Sequence, residues 1–169
     1  YMIGHPGKKL LFMGQDFGQY QEWSEERELD WYLLGEQSHQ QLQNYVKQLF
    51  ALYKKYPALY ANDANPQGLE WINADDATRS IYSFMRMSPT GRNNLLFVIN
   101  YTPVARDDYR VGVPKRKQYK LILNSREPEF GGHEHKEQLV YKAVKKECDG
   151  RPYSFAYPLP AYGVAVFLF

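Results

Sequence analysis

KKLLFMGQDFGQYQEWSEERELDWYLL, residues 8 to 34, is the stretch on which the fold turns. Leu10, Leu11, Phe12 and Met13 form an apolar run without alternation, the pattern of a strand covered on both faces as in a parallel sheet. Gly14 lets the backbone turn, and Gln15, Asp16, Gln19, Gln21 and Glu22 follow beside Phe17, Tyr20 and Trp23. Amides and carboxylates mixed with flat rings just past a buried strand describe a sugar-binding rim.

Upstream, Gly4, Pro6 and Gly7 around His5 read as a loop, with His5 solvated or capping in preference to a sugar contact. Downstream, Ser38 and Gln41 form an S-x-x-Q capping box that predicts a helix start. Leu42, Tyr45, Val46, Leu49, Phe50, Tyr53 and Tyr56 then recur at three- and four-residue spacing, as one apolar helix face does. Lys54 and Lys55 complement the dipole at the far end, and Pro57 stops the helix.

From Ala58 the character changes. ANDANPQG (residues 61 to 68) is a turn-rich linker. Runs at strand length follow at residues 69–72, 80–87, 95–101, 119–123, 139–144, 153–157 and 164–169. Gly, Pro, Asn and Asp punctuate them, with Asp149-Gly150 as a hairpin signal, and this spacing predicts an antiparallel sandwich or barrel.

Composition limits the function classes. The 169 residues suffice for one domain, or a small domain with part of another, and 44% hydrophobic with 24% charged residues is globular. An aromatic share of 16%, with fifteen tyrosines, suits β-sheet packing and sugar contact alike. A net charge of +2 gives no nucleic-acid surface, and no apolar run reaches membrane-spanning length. Cys148 stands alone, so no intrachain disulfide forms, which fits a cytoplasmic location.

HPGKKLLFMGQDFGQYQEW (residues 5 to 23), the LDW of residues 29 to 31 and NYTPVARDDYRVGVP (residues 100 to 114) together resemble segments of glycogen branching enzymes, members of the α-amylase superfamily. The resemblance implies a mainly β architecture: an antiparallel β-sandwich C-terminal domain preceded by the last strand and helix of a (β/α)8 barrel. The division it implies is residues 1–60 as barrel remnant and residues 61–169 as the all-β domain. It further implies a parent enzyme that cleaves α-1,4-glucan through a covalent glucosyl-enzyme intermediate and transfers the chain to a 6-hydroxyl. No cofactor and no metal is implied. One departure is Asp16, where the family carries glutamate; the shorter side chain reaches about one methylene less.

Glu25, Glu26, Glu28 and Asp30 gather near Asp16 and Glu22, and paired carboxylates are what glycosidase-type chemistry uses. The resemblance places the family's nucleophile, acid/base and third carboxylate after earlier barrel strands, so no catalytic residue is assigned in this chain. Asp16, Gln19, Glu22 and Trp23 are candidates to line or brace the substrate cleft, since loops after barrel strands form the active face. Packing is favoured over sugar stacking for Trp23 and more strongly for Trp31.

On the sandwich, Trp71 and Tyr109 are candidate glucan contacts, decided by whether such rings lie exposed on one face. Asn100, Thr102, Asp107, Asp108 and Arg110 read as a loop held by Asx turns and Arg–Asp pairs in preference to a binding patch. His133-Glu134-His135 lacks a third well-spaced ligand and reads as a solvated loop, as does the basic turn Lys115 to Lys117.

The expectation is therefore an excised, inactive carboxy-terminal piece whose partners are α-glucan and the rest of its barrel. A glucan-binding sandwich, or a piece of a debranching or trehalose-forming relative, is the alternative. The Leu10–Met13 strand and the helix face, cut off from barrel neighbours, are expected to fold back on the sandwich or pair with a second copy.

Overall fold

The computed structural model describes residues 1–133 and 138–169. Among the described residues, eight strands and one long helix, α1 (Gln37–Lys55), build three layers. The strands are β1 (Leu69–Asn73), β2 (Ile81–Arg86), β3 (Leu95–Asn100), β4 (Arg106–Val113), β5 (Gln118–Asn124), β6 (Val140–Lys142), β7 (Tyr153–Leu159) and β8 (Val164–Leu168). One sheet runs β1-β2-β3-β8-β5-β6 and the other is the pair β4-β7, every pairing antiparallel.

The side-chain period of two divides the larger sheet between two cores. On β2, Ile81 and Met85 face the β4-β7 pair, while Phe84 faces the other way. On β3, Leu96 and Val98 enter the inter-sheet core with Tyr109, Val111 and Val113 of β4 and Phe155, Tyr157 and Leu159 of β7. Leu95, Phe97 and Ile99 enter the second core, where Leu52, Tyr56, Ala58 and Leu59 meet them. Covered on both sides, β3 is buried at all six positions, and its Leu95–Ile99 run is apolar throughout for that reason.

All seven strand-length runs of the sequence carry a strand. The eighth, β4, is missed because Arg106, Asp107 and Asp108 open it, and polar residues at the end of a two-stranded sheet read as loop. Only its Tyr109–Val111–Val113 alternation marks it as a strand with one buried face. Asp149 (φ 50°) and Gly150 (φ 67°) form the tip of the 148–151 hairpin, both in the left-handed region that a two-residue hairpin of this hand needs.

The helix departs from its predicted start. Its N-cap is Glu36, which makes no side-chain capping bond, so Ser38 lies inside the first turn and there is no Ser38–Gln41 box. Gln41 Nε2 instead donates to Pro128 O at 3.2 Å, tying the helix to the turn after β5. The apolar face also divides in two. Tyr45, Leu49, Leu52, Tyr53 and Tyr56 pack on the sheet, whereas Val46 and Phe50 turn toward residues 11–14.

The amino-terminal segment folds back only in part. Arg86 on β2 is fully buried, and it donates to Gly4 O (2.6 Å), to Gly68 O (3.0 Å) and to the Asp63 carboxylate, with which it forms an ion pair. Tyr1 packs edge-on against Phe84. Leu10 to Met13, however, form no strand and lie exposed, Leu10 at 73%. A strand needs a partner for its backbone groups, and the neighbour expected from the resemblance is not among these residues.

Candidate functional site

The loop after Met13 is built by its own backbone. Gly14, at φ 77°, accepts from Phe17 N and Gln19 N, and Phe12 N donates to Gln15 Oε1, closing a tight turn. A Cβ at Gly14 would sit 2.7 Å from Gln19 Cβ, so the turn holds Gln19 as close as glycine permits. Gln19 then uses both ends of its amide: Oε1 accepts from Asp30 N at 2.9 Å and Nε2 donates to Gln21 O at 2.8 Å. It braces the loop against the 3-10 turn at Trp31–Gly35.

The other predicted rim residues separate. Asp16 is half-buried and lines a cleft of about 400 Å³ with Leu11, Phe12, Met13, Val46 and Phe50. Trp23 stands at that edge, its ring perpendicular to Phe12 at 5.4 Å, and is partly exposed. Glu22 is exposed and does not line the cleft; its carbonyl accepts from Arg27. Trp31, expected to pack, is half-exposed, with its ring 5.2 Å from Phe17. The structure thus joins Asp16 to the bare apolar run and the second helix face, with Trp23 alongside, and leaves Gln19 as a brace.

Two buried polar groups behind this loop escape sequence reading. His39 on α1 donates through Nδ1 to Phe17 O at 2.7 Å. Its Nε2 is buried without a hydrogen-bond partner, 3.8 Å from the Glu36 carboxylate, and Tyr20 packs edge-on against the ring. Asp30 Oδ2 is likewise buried and unpartnered. His39 sits one position beyond Ser38 on what reads as a polar helix start, so the sequence gives no signal for its burial.

On the sandwich neither nominated ring lies open. Trp71 on β1 is half-buried between Phe84 (5.3 Å) and the His5 ring (6.4 Å). Tyr109 is 4% exposed, and burial, together with the nearby Asp149 carboxylate, pushes its phenol up to about 12. The open rings are elsewhere. Tyr101 is 49% and Tyr162 62% exposed, and Tyr162 N donates to Thr102 O at 2.9 Å, setting their two loops side by side. Tyr82 packs perpendicular to Tyr101 at 5.7 Å.

The Asn100 loop is held as its residues imply, Asn100 Oδ1 accepting from Thr102 N (3.0 Å) and Oγ1 (2.7 Å). The expected Arg–Asp pairing within residues 106–110 does not form; Arg110 donates instead to Ser154 Oγ at 3.2 Å. Of the His133-Glu134-His135 group, Glu134 and His135 lie outside the described residues, and among the described residues no three metal-capable side chains cluster. Among the described residues no helix is long and apolar enough to cross a membrane.

Comparison with known proteins agrees with this architecture. Residues 71–169 match the family described as alpha amylase, C-terminal all-beta domain. The 1,4-alpha-glucan branching enzyme GlgB of Butyrivibrio fibrisolvens is 52% identical over all 169 residues, which cover 26% of that protein. The 1,4-alpha-glucan branching enzymes GlgB of Bacillus caldolyticus and Halothermothrix orenii are 42% and 41% identical over 98% and 99% of the chain, covering 25% and 26% of those proteins. The chain therefore spans about a quarter of the length of these relatives. With the matched region coinciding with the two stacked sheets, the chain belongs to the family of alpha amylase C-terminal all-beta domains.

Proposed function

We propose that this chain is the carboxy-terminal part of a cytoplasmic 1,4-α-glucan branching enzyme, divided near residue 60 into a barrel remnant and the all-β domain. The observation that carries the reading is the 52% identity to the Butyrivibrio fibrisolvens enzyme, unbroken from the remnant through the sandwich. On this reading the whole enzyme cleaves an α-1,4 linkage through a covalent glucosyl intermediate and passes the cut chain to a 6-hydroxyl. Carboxylates outside these residues do that chemistry.

The part played by this chain is to support. The cleft between Leu11–Met13, Val46 and Phe50 takes the neighbouring barrel elements, and Asp16 and Trp23 then border the substrate side while Gln19 holds the loop rigid. Glu22, solvent-facing here, is assigned to the same border. In the isolated chain, the bare run pairs with a second copy.

Incubation of the purified chain with amylose should leave iodine staining unchanged. Adding the complementary three-quarters of the Butyrivibrio enzyme should restore branching. Failure of that mixture, when the same enzyme split at the equivalent position and recombined is active, would sink the proposal.

A second reading, that the sandwich itself holds α-glucan, is favoured by the exposed Tyr101–Tyr162 pair. Flat rings complement the C–H face of a sugar. Electrophoresis in glycogen-containing gels tests it: retardation should vanish in Tyr101→Ala with Tyr162→Ala and persist in Trp71→Ala.

A further inference from the structure

The face of the sandwich remote from α1 carries a polar cleft that neither reading uses. Between β4 and the 148–151 hairpin lies a space of about 400 Å³, bordered by Arg79, Arg106, Asp108, Tyr109, Arg110 and Asp149. Its shape is built in. β4 advances three residues from Arg106 to Tyr109 while β7 advances two from Tyr157 to Leu159, and such a bulge re-aims side chains. Opposite, the hairpin closes on Gly112, where a Cβ would meet Cys148 O at 2.2 Å.

The groups inside are incompletely used. Arg106 Nε and the Tyr109 hydroxyl are buried without hydrogen-bond partners. Arg106 and Arg110 make no carboxylate ion pair among the described residues; Arg110 spends one donor on Ser154. Arg79 is different, lying over the Tyr109 ring at 5.5 Å with its Nε 2.5 Å from Asp76 Oδ2. Asp149 Oδ1 accepts from Asn73 at 3.1 Å, and Asp108 is exposed at the mouth. The neighbouring Cys148 thiol is pushed up to about 11 by burial and by Asp149, so it adds no negative charge.

We propose that this cleft binds a phosphorylated monosaccharide, its phosphate on Arg106 and Arg110 and its hydroxyls on Asp108 and Asp149. Guanidinium forks match phosphate oxygens bidentately, so a neutral sugar would leave them without an anionic acceptor. Inorganic phosphate alone would leave the exposed Asp108 carboxylate with no donor from the ligand. The space suits one sugar ring better than a chain. The inference stands independently of the parent activity proposed above.

Calorimetric titration of the 169-residue chain at pH 7 tests it, with glucose 6-phosphate, inorganic phosphate and maltose as probes. Glucose 6-phosphate should bind at least several-fold more tightly than inorganic phosphate, with no heat from maltose at the same concentration. Arg106→Gln should weaken the sugar phosphate by tenfold or more at unchanged melting temperature. Arg106→Lys, which keeps the charge and loses the fork, serves if that variant unfolds and should weaken binding in the same direction. Asp108→Asn should narrow the gap between the two phosphates. Absence of phosphate binding, equal binding of maltose, equal binding of the two phosphates by the native chain, or indifference to both Arg106 variants would overturn the proposal.

Discussion

Leu10–Met13 and Leu95–Ile99 are nearly the same word, LLFM against LLFVI, and they meet opposite fates. The second is buried between two cores, with Phe97 stacked on Phe84 at 5.0 Å and paired to β2 and β8 along its length. The first lies open beside a cleft, without a strand partner. An apolar run without alternation states that both faces want cover; it does not state that the cover belongs to the same stretch of chain.

The comparison breaks most sharply by truncating one ring on each side. Phe97→Ala should cost about 3–5 kcal/mol, the range for a large core ring, measured by urea denaturation. Phe12→Ala should stay within about 0.5 kcal/mol of the parent, as exposed positions do. A comparable loss at both would mean that the amino-terminal run is packed in solution.

Asp63→Ala, which strips the buried Arg86 of its anion, should cost about 3 kcal/mol and expose residues 1–9 to limited proteolysis. Unchanged cleavage would show that Tyr1 and the backbone bonds suffice to hold that segment.

Alkali should loosen both covered faces of β3. Tyr45 in the helix layer and Tyr119 between the sheets are held up to about 12, chiefly by burial. Each contribution is fully present below pH 10, the unfolded phenol value, and is lost as pH rises toward 12, because the unfolded chain ionises first. The decline is on the order of 1 kcal/mol per pH unit per tyrosine. Tyr45→Phe should reduce it, read from urea midpoints at pH 9, 10.5 and 11.5; an undiminished decline would remove Tyr45 from the account.

The smallest stability effect should come from Phe12→Asp, again within about 0.5 kcal/mol. Its signature is lower apparent mass by light scattering, if the open run pairs with a second copy. A parent chain that is already monomeric would remove that pairing.

What the sequence made legible follows from distance along the chain. Strands at 69–73, 81–86 and 95–100 announce themselves because apolar composition and turn residues are local signals. β4 does not, since the bulge at Asp107–Asp108 places charge at the opening of a paired segment, where it reads as loop. The helix start departs from its pattern for the opposite reason, a capping motif present in sequence and unused in space. That Asp16 borders an apolar cleft with Val46 and Phe50 depends on a helix thirty residues on, Gln19's role as a brace on Asp30, eleven residues on, and His39's burial on Phe17. Asp108 and Arg110 read as a loop in sequence; the cleft they border is not legible because its other charged walls, Arg79 and Asp149, come from distant segments.

The buried guanidinium of Arg86 also bears on the order in which the molecule can be made. Its acceptors, Gly4, Asp63 and Gly68, all precede it in the chain, the farthest by 82 residues. Domains form as they leave the ribosome, amino-terminal part first. The bond from Arg86 to Gly4 thus waits until β2 has been synthesised, and the joint between the amino-terminal segment and the sandwich is completed from the downstream side. A nascent chain halted before residue 86 should hold residues 1–9 open to protease, and one released beyond β3 should protect them.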